Sequence, residues 1–267
     1  MPVRFRLVIG IVLLGFTLSL CGQEVVFSRR VYKEQGRSYQ QIWSWNPAND
    51  VLKELTHSAR DHYHPVCKSG SITFVSENAR LWSLNPASGE ERIIGPPPPS
   101  PNDEPKPRNG CDVFAKAGNL EACGKGEDLS VSRDNKAIGH FKTDECPIDE
   151  HGTLGKCESP IQSLEWSPDA KWLLVGAVED AHEGDYYVVD PATMKLTRVA
   201  TAFSALWLPG RDELLFATPE YFTPLPGARR GRQVWVQQFI RLDPATRKST
   251  AITSGVTNNS DASLCNP

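Results

Sequence analysis

The sequence has 267 residues, a net charge of −3 and 39% hydrophobic residues, so it is long enough to bury a sizeable core. Its weakly acidic balance excludes a protein that is held to nucleic acid by bulk positive charge. The 21 prolines favour many turns over long helices.

The N-terminus is typical of an export signal. Arg4 and Arg6 precede an unbroken run of apolar and small residues from 7 to 20. That run is shorter than the ~20 residues that a helix needs to span a bilayer. It therefore predicts a secretory signal at residues 1–21, followed by one domain at residues 22–267.

The end of this signal is open to two interpretations. Residues 18–22 (LSLCG) resemble a bacterial lipoprotein box, in which Cys21 carries the lipid. Leu20 departs from that pattern, because the residue before the cysteine is normally small. Ser19 and Cys21 fit ordinary cleavage equally well. We expect contact with a membrane only through a lipid on Cys21.

One phrase recurs four times along the chain. It reads WSWNPA at 43–48 and WSLNPA at 82–87, and it returns as YVVDPA at 187–192 and IRLDPA at 240–245. In each copy, alternating bulky residues run into an Asn-Pro or Asp-Pro turn, and a second strand-like segment follows. Each copy therefore predicts a β-hairpin.

A second phrase precedes three of these copies. It reads WSPD at 166–169, WLPG at 207–210 and CKSG at 67–70, and each instance leads into an apolar segment. This pattern predicts a further hairpin, so that one unit contains four strands. Self-similarity every ~40–45 residues with four strands per unit indicates a propeller blade.

The two phrases together resemble the TolB-type propeller repeat, which runs roughly W-S-P-D-G-K-x-I-A-F and then x-I-Y-x-x-D. The resemblance covers most of the chain after residue 21. It implies an all-β propeller of about five four-stranded blades, with six as the alternative count. It also implies an envelope setting and contacts with other proteins. Insertions fall near residues 95–110 and 143–160.

The third unit is degraded and fits two registers. Either residues 131–138 form its first hairpin, or the unit starts at Phe114 and residues 129–141 form its second hairpin. Even spacing of the units favours the second register. Both registers give five units.

The two ends of the chain together complete one repeat. Residues 264–267 (LCNP) match the opening of the phrase, and residues 22–29 (GQEVVFSR) match its continuation. A ring of blades closes in this way when the last strand fills the inner position of the first blade, which also removes an exposed sheet edge. We therefore expect the C-terminal strand to pair with the N-terminal blade.

Six cysteines follow the signal, and an even number is expected of disulfides in an oxidising compartment. The expected pairs are Cys111–Cys123, Cys146–Cys157 and Cys67–Cys265. The first two pairs would each close a short local loop. The third joins equivalent repeat positions of blades one and two. Because the sequence has no CxxC pair, we expect no metal site.

Long loops are expected on one face of the propeller, because the two recurring phrases place tight turns on the other face. The long connections lie at residues 28–40, 177–185 and 217–232. Long loops on a rigid frame commonly carry binding sites. If the ring closes, the first and last of these loops are neighbours.

These two neighbouring loops are rich in arginine and tyrosine, which are enriched at protein interfaces. The candidate binding residues are Arg29, Arg30, Tyr32, Lys33, Arg37, Tyr221, Phe222, Arg229, Arg230 and Arg232. The alternative interpretation is a pair of solvated loops without a partner.

Catalytic motifs are scarce. The chain has no G-x-S-x-G elbow, no phosphate-binding G-x-x-x-x-G-K-S and no H-E-x-x-H. His57, His62 and His64 lie close together in the sequence, but such a cluster is more often solvated than metal-binding. We expect no catalytic residue, metal or cofactor.

Three carboxylates near predicted inner strands carry the alternative function. They are Asp112, Glu165 and Asp261, and a carbohydrate-active enzyme would use such residues at the propeller channel. Hydrogen bonding in loops is the commoner use of such residues. We therefore expect an exported, non-catalytic propeller that binds a protein of the cell envelope through its long-loop face, with no nucleic-acid partner.

Overall fold

The computed structural model describes residues 24–68, 70–76, 78–96, 110–143, 160–178, 183–227 and 232–265. All regular elements in these ranges are β-strands, and they form five four-stranded antiparallel sheets and one two-stranded hairpin. No helix in the described ranges is long and apolar enough to cross a membrane. The prediction of an all-β propeller with five four-stranded blades is confirmed.

Several sequence-based predictions fall outside the described residues. They are the signal at residues 1–21 with Cys21, the Cys146–Cys157 pair, and most of the insertions near 95–110 and 143–160.

Each blade is one antiparallel sheet. Blade one contains β1 (Glu24–Val31), β2 (Gln40–Asn46), β3 (Val51–Glu54) and, from the end of the chain, β22 (Thr257–Cys265). Blade two contains β4 (His62–Lys68), β5 (Ser71–Ser76), β6 (Leu81–Asn85) and β7 (Glu90–Gly95). Blade three contains β8 (Val113–Ala117), β9 (Leu120–Lys125), β10 (Asp128–Arg133) and β11 (Lys136–Lys142).

The last two blades follow the same pattern. Blade four contains β12 (Ile161–Trp166), β13 (Leu173–Val178), β14 (Gly184–Asp190) and β15 (Lys195–Ala202). Blade five contains β16 (Ser204–Trp207), β17 (Leu214–Ala217), β20 (Phe239–Leu242) and β21 (Ser249–Ala251). The extra hairpin, β18 (Tyr221–Pro224) and β19 (Gln233–Val236), is inserted between β17 and β20.

The third blade has the register that even spacing favours. Strands β8 and β9 pair as its first hairpin, and β10 pairs with β11 as its second. The unit therefore begins close to Phe114, and residues 131–138 are not its first hairpin.

The inner strand of blade one comes from the C-terminus. Strand β22 pairs with β1 in antiparallel register, with Val25 opposite Leu264 and Arg29 opposite Asn259. The sheet order is β22-β1-β2-β3. The predicted pairing between the C-terminal strand and the N-terminal blade is confirmed.

Two disulfides are present among the described residues, and both join cysteines that the sequence analysis paired. Cys67–Cys265 joins β4 to β22 with a Cα–Cα distance of 4.8 Å, so it ties blade two to blade one. Cys111–Cys123 has a Cα–Cα distance of 5.4 Å and ties the segment before β8 to β9.

Neighbouring blades pack through alternate side chains of their middle strands. On β1, Val25 and Phe27 pack towards blade five, whereas Val26 packs towards blade two. This follows from the two-residue period of a strand, which sends successive side chains to opposite faces. Apolar clusters of this kind join blade one to two, five to one, four to five and three to four.

The described residues contain no such apolar cluster between blades two and three. On β5, Phe74 is fully buried towards blade one, and Thr73 lies on the opposite face. On β8, Ala115 packs towards blade four, and Phe114 and Lys116 lie exposed on the opposite face. Apolar packing therefore links the blades in the order two, one, five, four, three.

A glutamine–threonine hydrogen bond recurs in blades one and five. The Thr56 hydroxyl donates to Gln41 Oε1 at 2.8 Å, and the Thr253 hydroxyl donates to Gln238 Oε1 at 2.8 Å. In both blades the backbone N–H after the glutamine donates to the same threonine hydroxyl. In each blade, these hydrogen bonds connect the segment after the outermost strand to the start of the third strand.

Candidate functional site

The β1–β2 connection and the β18–β19 hairpin meet at the long-loop end of the molecule. Tyr32 shares an apolar cluster with Leu225, Val234 and Val236 of the hairpin region. Its backbone N–H donates to the Val256 carbonyl at 3.2 Å. Burial raises the pKa of the Tyr32 phenol, since desolvation disfavours its charged form. The structure thus brings together the loops of blades one and five.

A second contact lies between the tips of these loops. Gly227 has φ +70°, and a Cβ built on it would lie 2.5 Å from Cδ of Glu34. The Glu34 carboxylate is therefore packed against the backbone of the hairpin turn. The positive φ favours glycine here, and a Cβ at this position would displace the end of the Glu34 side chain.

Arg30 is already paired within the protein. Its Nη2 lies 2.9 Å from Oδ2 of Asp61, and Oδ1 of Asp61 accepts a hydrogen bond from the Gln40 backbone at 2.7 Å. Arg30 therefore anchors the link between blades one and two, and it contributes little free charge to a binding surface.

Arg29 lies on the opposite face of β1. Its guanidinium lies over the ring of Trp43, 4.7 Å from the ring centroid. The Nε atom is buried and has no hydrogen-bond partner among the residues that the structure describes. Burial lowers the pKa of Arg29, and the negative charge of Glu54 opposes that shift.

The remaining basic residues of this loop stay at its surface. The Arg37 guanidinium lies 5.0 Å from the ring centroid of Tyr39. The Lys33 backbone N–H donates to the Ser38 hydroxyl at 2.8 Å, and this hydrogen bond holds the two sides of the loop together. Cation–π contacts of this kind hold an arginine side chain in one orientation above an aromatic ring.

A cavity of about 530 Å³ opens on the face of blade one that carries Arg29. Its lining residues are Arg29, Val31, Lys33, Tyr39, Gln41, Trp43, Glu54, His57, Ser58 and Ala59. Within it, the His57 Nδ1 lies 3.5 Å from Oε1 of Glu54. Cationic, aromatic and apolar side chains therefore converge on one concave surface.

The hairpin adds an exposed aromatic pair. Phe222 and Trp235 are cross-strand partners, and their ring centroids are 3.6 Å apart. Their exposed fractions are 54% and 45%, and Tyr221 beside them is 48% exposed. Large exposed aromatic side chains are typical anchors of protein interfaces.

Trp235 was not identified in the sequence analysis. Strand β19 alternates exposed and buried residues (Gln233-Val-Trp-Val236), so burial of the two valines leaves the tryptophan outside. This alternation of apolar and other residues is the feature of the sequence from which the exposure of Trp235 could have been predicted. Of the remaining candidates, Arg229 and Arg230 lie outside the described residues. Arg232 is exposed, and its carbonyl accepts from the Leu225 backbone N–H.

The three clustered histidines occupy different environments. His62 is buried, with Nδ1 3.0 Å from the Thr56 hydroxyl and Nε2 3.1 Å from the Ser58 hydroxyl. His64 pairs with Asp261, and His57 lies in the cavity of blade one. The described part of the chain contains no group of three His, Cys, Asp or Glu residues suited to a metal ion.

The three candidate carboxylates likewise occupy different environments. Asp112 Oδ2 accepts from the Gly126 backbone at 2.8 Å, and Asp261 pairs with His64 at 2.9 Å. Desolvation by the surrounding strands raises the pKa of Glu165 to about 7, and a hydrogen bond from the Trp207 backbone opposes that shift. The Glu165 side chain is exposed, so its desolvation comes from protein atoms packed nearby and not from burial in a closed site.

The fold has known counterparts, although no protein-family model and no curated protein matches the sequence. TolB from Acinetobacter baumannii is 11% identical with a TM-score of 0.49, and the match covers 91% of this chain and 66% of that one. A putative TolB from Agrobacterium tumefaciens is 8% identical with a TM-score of 0.39, covering 86% and 89% of the two chains. The β-propeller domain of the Trilobed protease from Pyrococcus furiosus is 13% identical with a TM-score of 0.35, covering 73% and 58%.

These similarities concern the fold alone, and this chain spans just under two thirds of the length of the first structure. The prediction of a TolB-like propeller is confirmed by the five four-stranded sheets, and two TolB structures are among its structural matches.

Proposed function

We propose that this protein is an exported, non-catalytic scaffold that binds a protein partner through the long-loop face of blades one and five. The observation that carries the proposal is the exposed Phe222–Trp235 pair, which projects from a hairpin packed against the basic loop of blade one. Contiguous exposed apolar surface often marks a site of interaction with another protein. The hairpin is an insertion into blade five, so the blade does not need these rings for its own packing.

Two features support the proposal that the protein is exported and that its partner belongs to the cell envelope. The two disulfides are consistent with an oxidising compartment, and the N-terminal sequence is typical of a signal. A lipid on Cys21 remains the one membrane contact in this proposal.

The alternative function, a carbohydrate-active enzyme, draws on Glu165. A carboxyl group with a pKa near 7 could serve as a general acid. Catalysis of that kind needs a second carboxylate beside it. The other two candidates are engaged within the protein, because Asp112 accepts from the Gly126 backbone N–H and Asp261 pairs with His64, and we therefore favour the scaffold.

Affinity capture from a native envelope extract tests the scaffold. The purified protein is expected to retain one dominant partner, and Phe222→Ala or Trp235→Ala should reduce the retained amount about tenfold or more, because aromatic anchors often contribute more than 2 kcal/mol. Val51→Ala is the matched control, since Val51 is equally exposed but follows a tight turn on the other face.

The salt dependence of capture provides a second test, because it measures the contribution of positive charge on the same face. Arg232→Glu should weaken capture and reduce its sensitivity to salt, since exposed charges act mainly through screened attraction. Capture that is unchanged by the aromatic and the arginine variants alike would show that the partner binds elsewhere.

A further inference from the structure

The cavity over Trp43 is lined by a cation, Arg29, that forms no ion pair with a carboxylate of the described residues. Its Nε is buried and has no hydrogen-bond partner in the same part of the chain. One carboxylate lines the same cavity, that of Glu54, whose Oε1 lies 3.5 Å from Nδ1 of His57 and whose negative charge also acts on Arg29. Lys33 lines the cavity as a second cation.

Two other partly buried arginines are paired with carboxylates. Arg30 contacts Asp61 at 2.9 Å and Arg241 contacts Asp50 at 3.5 Å, although both side chains are only 25% or less exposed. Since leaving a buried charge unpaired is costly, the protein usually supplies a carboxylate where it buries an arginine. Among the described residues, Arg29 and Arg60 depart from that pattern, because each guanidinium lies over a tryptophan ring and has no ion pair. Of these two, Arg29 lines the cavity beside Trp43.

The geometry points to an acidic side chain of the partner as the occupant of this cavity, an inference that rests on the proposed function. A carboxylate placed in the cavity could accept hydrogen bonds from the terminal Nη atoms of the Arg29 guanidinium, whereas the buried Nε would take part only after a shift of the side chain. Lys33 would add a second positive charge, and the ring of Trp43 already orients the guanidinium from the other side.

The size of the cavity favours a residue within a polypeptide over a small free anion. At about 530 Å³, the cavity is within the range of sites that enclose a drug-sized ligand, and a single carboxylate fills a minor part of it. Val31 and Trp43 give the remaining surface an apolar character. The inferred ligand is therefore an aspartate or glutamate side chain together with its flanking backbone.

Nuclear magnetic resonance titration of the purified protein tests this inference. The probe is acetyl-Gly-Glu-Gly-amide, which carries a carboxylate only on its side chain, and the readouts are the Arg29 Nε–H and the Trp43 indole N–H. Both resonances should shift and saturate in the millimolar range. Acetyl-Gly-Gln-Gly-amide should bind at least tenfold more weakly. Inorganic phosphate at matched ionic strength should produce smaller shifts than the glutamate peptide.

Variants separate charge from packing. Arg29→Met keeps an unbranched stem over Trp43 and should abolish the shift of the indole resonance, whereas Arg133→Met, an exposed arginine of blade three, should leave it unchanged. Lys33→Met, at the rim of the cavity, should weaken binding several-fold and is the variant to use if Arg29→Met fails to fold.

Two results would overturn the inference. One is equal binding of the glutamate and glutamine peptides, and the other is a response to phosphate that matches or exceeds the response to the glutamate peptide. If the peptide fails to bind but capture of the partner still depends on Phe222 and Trp235, this inference is wrong and the proposed function stands.

Discussion

His64 Nδ1 lies 2.9 Å from Oδ1 of Asp261, and this pair joins the inner strand of blade two to the C-terminal strand. Both residues have left-handed backbone conformations, with φ values of 50° and 56°. Each also lies at a register shift of its own strand pair. Two bulges therefore meet at one blade boundary, near the Cys67–Cys265 disulfide.

The first prediction concerns the pH dependence of this pair. The hydrogen bond to Asp261 raises the pKa of His64 more than burial lowers it. For Asp261, burial would raise the pKa, but the hydrogen bond and charge of His64 lower it overall. A raised histidine pKa stabilises the folded state below pH ~6.5, and this contribution is lost as the pH rises through the folded-state pKa.

We expect the wild-type protein to lose about 0.5–1 kcal/mol of stability through this pair between pH 5.5 and 8, a value limited by the exposure of His64. His64→Gln and Asp261→Asn should each remove that pH-dependent increment, and the double variant should lose no more than either single one. Urea unfolding at the two pH values measures the effect. Additive losses in the double variant would show that the two residues do not act as a pair.

His62 is predicted to have the opposite effect. Burial lowers its pKa to about 4, with the positive charge of Arg60 acting in the same direction and Asp61 opposing it. The unfolded chain therefore takes up a proton before the folded protein does, and stability should fall by about 1–3 kcal/mol between pH 6.5 and 4.

Replacing His62 by Gln should flatten that part of the stability profile, although its stacking on Phe74 is also lost. The quantity to compare is therefore the change in unfolding free energy with pH, and not the unfolding free energy at one pH. His57→Gln is the control, because this side chain is 74% exposed and should leave the slope unchanged. An unaltered slope in the His62 variant would mean that other groups cause the acid destabilisation.

The repeat explains why much of the fold could be predicted from the sequence. An Asn-Pro or Asp-Pro turn fixes where a hairpin reverses, and the split repeat fixes where the last strand pairs. Cys67 and Cys265 could be paired because equivalent repeat positions on adjacent inner strands face each other. Each of these features depends on local order along the chain.

The candidate site was predicted less completely, because its features depend on contacts between distant segments. The sequence shows two adjacent arginines, but only the structure shows that Arg30 is paired with Asp61 and that Arg29 faces a cavity. The sequence marks the connection from blade two to blade three as the insertion near residues 95–110, but it does not show how these two blades pack. The lack of apolar packing between their described residues depends on which face of each strand the neighbouring blade occupies.

A third prediction tests that uneven packing. Phe74→Ala should cost about 3–5 kcal/mol, because Phe74 is fully buried between blades one and two. Phe114→Ala should cost less than about 1 kcal/mol, because Phe114 is 37% exposed on the face of β8 turned away from blade four. Urea unfolding of the wild-type protein and the two variants measures these losses of stability. A large cost at Phe114 would indicate that blades two and three pack as tightly as the others.

The fourth prediction is that removal of residues 257–267 prevents stable folding. This deletion removes β22, which leaves β1 without its hydrogen-bonding neighbour and exposes a new sheet edge. It also removes Asn259, which is fully buried and whose Nδ2 donates to the Gln237 carbonyl at 2.6 Å. The tail is polar in sequence, so its composition alone gives no indication of this role.

The separate losses can be estimated. Leu264 is partly buried, so its burial contributes less than the ~1.5–3 kcal/mol of a fully buried leucine, and the Cys67–Cys265 disulfide contributes about 2–4 kcal/mol. Together with the unpaired backbone of β1, these losses approach the ~5–15 kcal/mol stability of a typical domain. Thermal melts of the full-length and truncated proteins should therefore show a folded protein in the first case and no cooperative transition in the second.

Two control variants separate the contributions to that loss. Replacing Cys67 and Cys265 by Ser removes the disulfide but keeps β22, and it should lower the melting temperature without abolishing the transition. Deleting only residues 266–267, which follow β22, should leave the melting temperature unchanged. If the truncation at residue 257 melts like the full-length protein, β22 contributes nothing to stability. The adjacency of blades one and five, on which the candidate site rests, would then lose its main support.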